Sequence, residues 1–303
     1  MALNNFQERA IFGTLYAGIV IVGILSGPAA FLCIAMIILF ACWKEFANIQ
    51  QISATASWGI SSINLFFFGA SFAGTELLEQ TTIHSITAVL FILLATILLF
   101  TTGTNAIKEM SAVFSGTLYL SVPIFLFLLL PQMGNLTPPE NLNYWNWQSH
   151  LGWPWESINH TPTLIENTPQ YHWQYPMLVF ILIWSSDTFA YLTGKAIGKH
   201  PLHAALSPKK TWEGFAGGTI LTALCSAILF HYWNLGPITA GITLGAAFSI
   251  FGTAGDLFES ALKRVHNIKD SGNFIPGHGG ALDRFDAFLF GCVVFWAWLN
   301  FLS

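Results

Sequence analysis

The sequence predicts an all-α, polytopic integral membrane protein. Two properties of its composition support this class: only 9% of its 303 residues are charged and 54% are hydrophobic, and its mean hydropathy is +0.59. Soluble domains carry about 25% charged residues. A third observation is that apolar runs of the ~20 residues needed to cross a bilayer recur along the whole chain. The composition therefore excludes an ordinary soluble globular protein.

About nine membrane spans are predicted from these apolar runs. Only Ser26, Gly27 and Pro28 separate the first two. We interpret them as two helices, because together they exceed the ~20 residues that one crossing requires. The predicted spans are 10–26, 28–43, 55–72, 84–102, 112–131, 176–194, 216–233, 237–256 and 286–302.

The positions of the basic residues predict the orientation. The chain has 11 Lys and Arg residues. If the N-terminus is cytoplasmic and there are nine spans, every one of them lies in a cytoplasmic segment, as the positive-inside rule requires. The C-terminus is then predicted on the periplasmic or outer side. The expected location is a bacterial cytoplasmic (inner) membrane, with the polar loops of the second half facing the cytoplasm.

The spans divide the chain into three regions. Residues 1–131 are predicted as an N-terminal membrane region of about five helices. Residues 132–175 are rich in tryptophan and are predicted as a loop on the outer membrane interface. Residues 176–303 are predicted as a catalytic membrane region of four helices with two cytoplasmic loops. The few charges of the first region, including Glu45 and Glu109, sit at helix ends and are expected to be solvated.

The segment SSDTFAYLTGKAIGKH, residues 185–200, contains an acidic residue at membrane depth. An ionisable side chain is costly there, so Asp187 is a functional candidate. The alternative is a packing role, in which Asp187 is hydrogen-bonded to a neighbouring helix. Gly194 and Gly198 fit that alternative, because small residues four apart allow two helices to approach closely.

The segment SPKKTWEG, residues 207–214, is predicted to be a turn followed by a helix. The adjacent ammonium groups of Lys209 and Lys210, beside the amides of a helix start, suit phosphate oxygens. The alternative is a basic loop that contacts anionic lipid headgroups.

The most polar part of the chain is residues 255–288. If the eighth span continues as a helix, Asp256, Glu259 and Lys263 form one polar stripe. Asp283 and Asp286 are three residues apart and share a face at the start of the last span. Carboxylates on two helix ends, across a glycine loop, are hard oxygen ligands suited to Mg²⁺. With the surrounding cations, they indicate phosphoryl or nucleotidyl transfer on a lipid substrate.

The residues around KDSGNFIPGHGGALDRFD, positions 269–286, resemble the signature of the phosphatidate cytidylyltransferase (CDP-diacylglycerol synthase) family. Residues 185–200 and 207–214 are similar to upstream blocks of that family, in the same order. The resemblance covers about 185–290. One departure is Ala281, where the family usually has a larger aliphatic residue.

The resemblance implies the Mg²⁺-dependent reaction of CTP with phosphatidate to give CDP-diacylglycerol and pyrophosphate. It implies a cation centre at Asp256, Asp283 and Asp286, with Asp187 as a further candidate ligand and a monovalent cation such as K⁺ as a possible companion. Lys263 joins those three aspartates as a catalytic candidate. A homodimer is also implied, without a nucleic-acid partner. The substrate-binding candidates are Ser207, Lys209, Lys210, Thr211, Glu213, Arg264, Lys269, His278, Gly279, Gly280 and Arg284.

Three other functions remain as alternatives. A cytidylyltransferase for an ether lipid or a CTP-dependent polyprenol kinase would share the headgroup chemistry. A transporter would need charges along a path across the bilayer. Asp187 is the one charged residue predicted at depth, and the other charges collect on one face, which disfavours a transporter.

Overall fold

The computed structural model describes residues 5–72, 80–132, 171–274 and 279–302, and within them the chain is mostly helical. A π-turn, Thr117–Ser121, joins the helix Ala106–Gly116 to the helix Val122–Leu129 without a break in the helical course. The ten α-helices of this part of the chain are α1 (Asn5–Leu25), α2 (Pro28–Gln50), α3 (Ala54–Phe72), α4 (Gln80–Thr102), α5 (Ala106–Gly116), α6 (Val122–Leu129), α7 (Gln174–Ile197), α8 (Trp212–Tyr232), α9 (Ile238–Val265) and α10 (Leu282–Leu302).

The helices confirm a multi-pass membrane protein. Five helical stretches in the described residues are long and apolar enough to cross a membrane. Each of the nine predicted spans overlaps a helix of the structure, while the number of crossings and the orientation of the termini stay predictions. The five stretches are Pro28–Gln50, Ser85–Leu129, Gln174–Ile197, Trp212–Tyr232 and Ile238–Val265.

The mostly helical chain agrees with the predicted all-α class, and a two-stranded hairpin lies between α7 and α8. Strand β1 (Pro201–His203) pairs antiparallel with β2 (Ser207–Thr211). The turn predicted at Ser207 is therefore wrong: the residue before a proline favours an extended conformation, and Ser207 continues into a strand. The helix then begins at Trp212.

Helix α10 joins the two membrane regions of the chain. It packs against α9 and α7 of the second region and against α2 and α6 of the first. The ring of Phe288 lies 4.9 Å from that of Phe127 and 5.6 Å from that of Phe180. A single cluster of buried apolar side chains therefore runs through both regions, and burial of this surface positions the N-terminal end of α10.

Candidate active site

Lys210 and Asp256 bring the hairpin and α9 together. Side chains alternate along a strand, so Lys209 is exposed while Lys210 turns inward. The Nζ of Lys210 donates a hydrogen bond to Oδ2 of Asp256. The two side chains line one cavity together with Asp187 of α7. Three of the predicted residues, from three separate segments, thus meet around one space.

Lys263 bridges two carboxylates near the C-terminal end of α9. Its Nζ lies 2.6 Å from Oε2 of Glu259 and 2.6 Å from Oδ1 of Asp283. The side chains are largely buried, with exposed fractions of 13% for Lys263, 1% for Glu259 and 9% for Asp283. The predicted polar stripe of α9 is therefore a buried ion cluster that holds α10 against α9.

Asp283 also fixes the chain that leads into α10. Its Oδ2 accepts hydrogen bonds from the backbone N–H of Ser271, at 3.0 Å, and of Gly280, at 2.9 Å. Gly279 has a φ of +91°, a left-handed conformation that glycine adopts without strain. Both oxygens of Asp283 are thus engaged by the protein itself.

Asp286 lies one helical turn further along α10, beside α9. Its carboxylate is close enough to Asp256 and Glu259 for their negative charges to act on it. The helices approach closely here: a Cβ at Gly255 would lie 2.5 Å from the backbone oxygen of Asp286. Asp256 and Asp286 are therefore a pair of acids on facing helices at the α9–α10 contact.

Two predicted substrate-binding residues are used in local structure. Thr211 is the N-cap of α8, and its Oγ1 accepts a hydrogen bond from the N–H of Gly214 at 3.1 Å. Glu213 accepts hydrogen bonds from the backbone N–H of Lys199 and of His200, and its Oε1 lies 2.5 Å from Nδ1 of His200. Glu213 thus ties the end of α7 to the start of α8 and orients the hairpin.

The remaining predicted residues lie around the cavity and the ion cluster, and they differ in how far they are buried. Ser207 is half-buried, Gly280 is buried and Gly279 is half-buried, whereas Arg264, Lys269 and Arg284 are exposed. Arg264 donates a hydrogen bond to the backbone oxygen of Ile268 at 3.3 Å. His278 lies outside the described residues, so its role stays a prediction.

Glu45 is a residue of this region that the sequence reasoning missed. It was expected to be a solvated charge at a helix end, but it is only 7% exposed and its carboxylate accepts hydrogen bonds from the segment before α10. The available signal was its position among apolar residues, Phe46, Ala47 and Ile49, in a helix that continues to Gln50. Glu109 is likewise partnered, accepting from Oγ of Ser53.

The predicted cation centre is not assembled as a three-ligand group. Within the described ranges, no three His, Cys, Asp or Glu side chains are arranged to hold a metal ion. The oxygens of Asp283 are engaged by Lys263, Ser271 and Gly280. Oδ2 of Asp256 accepts a hydrogen bond from Lys210, and Asp256 and Asp286 are the acids that lie on facing helices at the α9–α10 contact. Oε1 of the buried Glu259 has no hydrogen-bond partner among the described residues.

Sequence comparisons identify proteins to which this chain is similar. A phosphatidate cytidylyltransferase from Bacillus subtilis (strain 168) is 48% identical over 128 residues, which is 42% of this chain and 47% of that protein. One of the same name from Staphylococcus aureus (strain COL) is 45% identical over 119 residues, which is 38% of this chain and 45% of that protein. The chain spans about half the length of the curated relatives it matches. The cytidylyltransferase family matches residues 7–302, nearly the whole chain; the chain therefore belongs to the cytidylyltransferase family.

Proposed function

We propose that the protein is a phosphatidate cytidylyltransferase, which converts CTP and phosphatidate to CDP-diacylglycerol and pyrophosphate. The observation that carries the proposal is the cavity where Asp187, Lys210 and Asp256 meet, in a chain of the cytidylyltransferase family. An amine between carboxylates at the end of an apolar helix bundle suits a reaction of phosphates at a membrane surface. The relatives in Bacillus subtilis and Staphylococcus aureus carry the corresponding name.

The proposed reaction is a direct displacement at phosphorus. A phosphate oxygen of phosphatidate forms a bond to the α-phosphorus of CTP, and the bond from that phosphorus to the oxygen bridging to the β-phosphorus breaks. Pyrophosphate leaves with the electrons of the broken bond. No covalent intermediate with the protein is needed. The task of the protein is to hold two anionic substrates in line and to offset their charge.

The basic residues are assigned by their depth. Lys210 lies inside the cavity beside Asp256, so we assign it to a phosphate at the reacting centre. Lys209, Arg264, Lys269 and Arg284 are exposed around it and are assigned to the outer phosphate oxygens of CTP or the lipid headgroup. The backbone of Gly279 and Gly280 can approach a ligand closely because neither residue has a side chain.

The facing carboxylates of Asp256 and Asp286 fit Mg²⁺. This ion prefers oxygen ligands and is commonly held by one or two carboxylates together with substrate phosphates, so a third protein ligand is not required. Bound there, Mg²⁺ would neutralise charge on the phosphates. Asp187 is a further candidate ligand from α7, and a monovalent cation such as K⁺ is a candidate companion. Asp283 instead keeps the loop and α10 in place.

The cellular setting follows from the same reasoning. The polar segments carry the basic residues that the positive-inside rule places in the cytoplasm, where CTP is present. We therefore assign the site to the cytoplasmic face of a bacterial inner membrane. We also assign the working form as a homodimer, with phosphatidate as the lipid partner and no nucleic-acid partner.

A product assay on the full-length protein tests this function. The protein is purified in detergent and supplied with CTP, Mg²⁺ and phosphatidate, and the nucleotide and lipid products are identified. We expect equal amounts of pyrophosphate and CDP-diacylglycerol. Reactions with an ether-lipid phosphate or a polyprenol in place of phosphatidate serve as matched controls. Release of CDP with a polyprenol would indicate a kinase, and no product from a folded preparation would refute the proposal.

Replacing Lys210 by methionine is expected to reduce turnover by about 10- to 100-fold. The substitution removes a charge-assisted contact worth about 1.5–3 kcal/mol from the centre of the cavity and leaves Asp256 without its partner. Lys209→Met is the matched comparison, because the two lysines are adjacent but Lys209 is exposed. It should reduce turnover by less than about tenfold, with most of the loss relieved at low salt. Equal losses in the two variants would contradict the assignment by depth.

A further inference from the structure

Glu45 places a buried carboxylate from the N-terminal half against the start of α10. Its Oε1 accepts a hydrogen bond from the N–H of Ala281 at 2.8 Å, and its Oε2 accepts from the N–H of Leu282 at 2.9 Å. Oε2 also accepts from Oγ of Ser271 at 2.8 Å. One side chain of α2 thus contacts Ser271, within the segment that links α9 to α10, and the residues at the start of α10.

The two backbone donors belong to the group that a helix leaves unsatisfied at its N-terminus. A carboxylate is a favourable partner there, because it makes charge-assisted hydrogen bonds and interacts with the positive end of the helix dipole. Such a cap usually comes from a residue adjacent in sequence. Here it comes from α2, more than 200 residues away along the chain.

The segment around Glu45 is shaped to admit this carboxylate. A Cβ at Gly272 or at Gly280 would overlap the carboxyl group of Glu45. Each of these positions therefore requires glycine for as long as Glu45 occupies its place. Two glycines, eight residues apart in the chain, thus pack against the same side chain.

Helix α2 gives this carboxylate a rigid base. Trp43 donates a buried hydrogen bond from Nε1 to Oγ of Ser121 at 2.9 Å. Its ring packs edge-to-face on Phe46 at 5.7 Å, and a Cβ at Gly116 would overlap both rings. The backbone around Glu45 is thus locked against α5 and the π-turn.

We propose that Glu45 is a positioning residue for the nucleotidyl transfer, an inference that rests on the proposed function. By holding the first residues of α10, it sets where Asp283 meets Lys263 and where Asp286 faces Asp256. The first membrane region then does more than anchor the enzyme, because it supplies the support on which half of the site is aligned. Glu45 itself acts through α10 and touches neither substrate.

The test is Glu45→Gln in the full-length protein. The amide can accept on one side only, and its NH₂ group on the other side faces a backbone N–H, so at least one bond to α10 is lost. We expect kcat to fall about tenfold and the Mg²⁺ concentration for half-maximal turnover to rise about tenfold, the range found when support of metal ligands is removed. The KM for phosphatidate should stay within about twofold, because Glu45 itself touches neither substrate.

Hydrogen exchange gives a readout independent of activity. Amides of peptides covering 279–284 should lose protection in Glu45→Gln, while those of α7 and α8 keep theirs. If Glu45→Gln merely lowered the folded fraction, the apparent kcat would fall, but the Mg²⁺ concentration for half-maximal turnover would not change. Glu109→Gln is the matched control, because Glu109 is also an acid of the first region that accepts a side-chain hydrogen bond; it should behave as wild type.

Ser271→Ala keeps the test decisive if Glu45→Gln does not fold. It removes the bond to Glu45 and the 3.3 Å bond that Oγ of Ser271 accepts from the N–H of Asp283. Both backbone bonds from α10 to Glu45 remain, and a shift in the same two readouts is expected. Wild-type protection and wild-type Mg²⁺ dependence in either folded variant would overturn the inference. If the wild-type protein made no CDP-diacylglycerol, the proposed function would fail, whereas the exchange data would still report separately on the role of Glu45.

Discussion

Asp286→Asn is expected to reduce turnover by at least about 100-fold, the loss typical of removing an electrostatic contact at a reacting centre. Asparagine has the same shape and can still accept the 2.7 Å hydrogen bond from the N–H of Ala287. It lacks the negative charge that faces Asp256 across the α9–α10 contact. Turnover of CTP per folded protein in detergent, compared with the wild type, measures the effect.

The control for this variant replaces a carboxylate outside the proposed site. Glu109→Gln makes the same chemical change on α5, where the acid contacts Ser53, and should keep wild-type turnover. The Asp286→Asn protein should elute and unfold as the wild type does. Turnover within about threefold of wild type, less than 1 kcal/mol in the barrier, would remove Asp286 from the site.

Lys263→Met is expected to lower the free energy of unfolding by about 3–5 kcal/mol, the usual loss when one partner of a buried ion pair is removed. Methionine keeps the length and apolar body of the side chain. Glu259 and Asp283, which are 1% and 9% exposed, are then left as buried carboxylates without their shared ammonium group. Thermal unfolding in detergent should show the loss as a lower midpoint.

Two further variants test the cause of that loss. The double variant Lys263→Met, Glu259→Gln also removes one of the two buried carboxylates that have lost their ammonium partner. It should therefore regain a substantial part of the free energy of unfolding that Lys263→Met loses. Lys44→Met removes an exposed lysine of α2 and should change stability by less than about 0.5 kcal/mol. If the double variant were no more stable than Lys263→Met alone, the ion cluster would not be the source of the effect.

Several features of the site could be predicted from local spacing. Asp256, Glu259 and Lys263 share a face of α9 because residues three and four apart are neighbours on any helix. The same rule pairs Asp283 with Asp286 on α10. The membrane class was equally accessible, because apolar length and the placement of basic residues depend on composition and order alone.

The hairpin was missed for a different reason. Residues 201–211 are short and polar, so they carry no periodicity to separate a strand from a turn. Their pairing depends on Glu213, which holds Lys199 and His200 at the base of the hairpin. The Ser-Pro pair suits a turn, but the residue before a proline also favours an extended conformation, so local signals did not decide between a turn and a strand.

The sequence by itself determined the class of protein, the polar segments and the residue types at the site. Only the tertiary structure decided which partners each carboxylate has. Asp283 is engaged by Lys263 and two backbone amides, whereas Asp256 pairs with Lys210 of the hairpin and lies across the α9–α10 contact from Asp286. Spacing along a helix cannot distinguish a carboxylate paired within the protein from one near another carboxylate. The partners come from other helices and loops, and their positions do not follow from the helical repeat.

Glu45 shows the same limit most clearly. It reaches Ser271 and Leu282 from 226 and 237 residues away along the chain, and its flanking residues show only an acid near the end of an apolar helix. Packing of α2 against α10 removes its carboxylate from water, and a buried charge must then find donors. The amides at the start of α10 are those donors, and the fold alone brings them within reach.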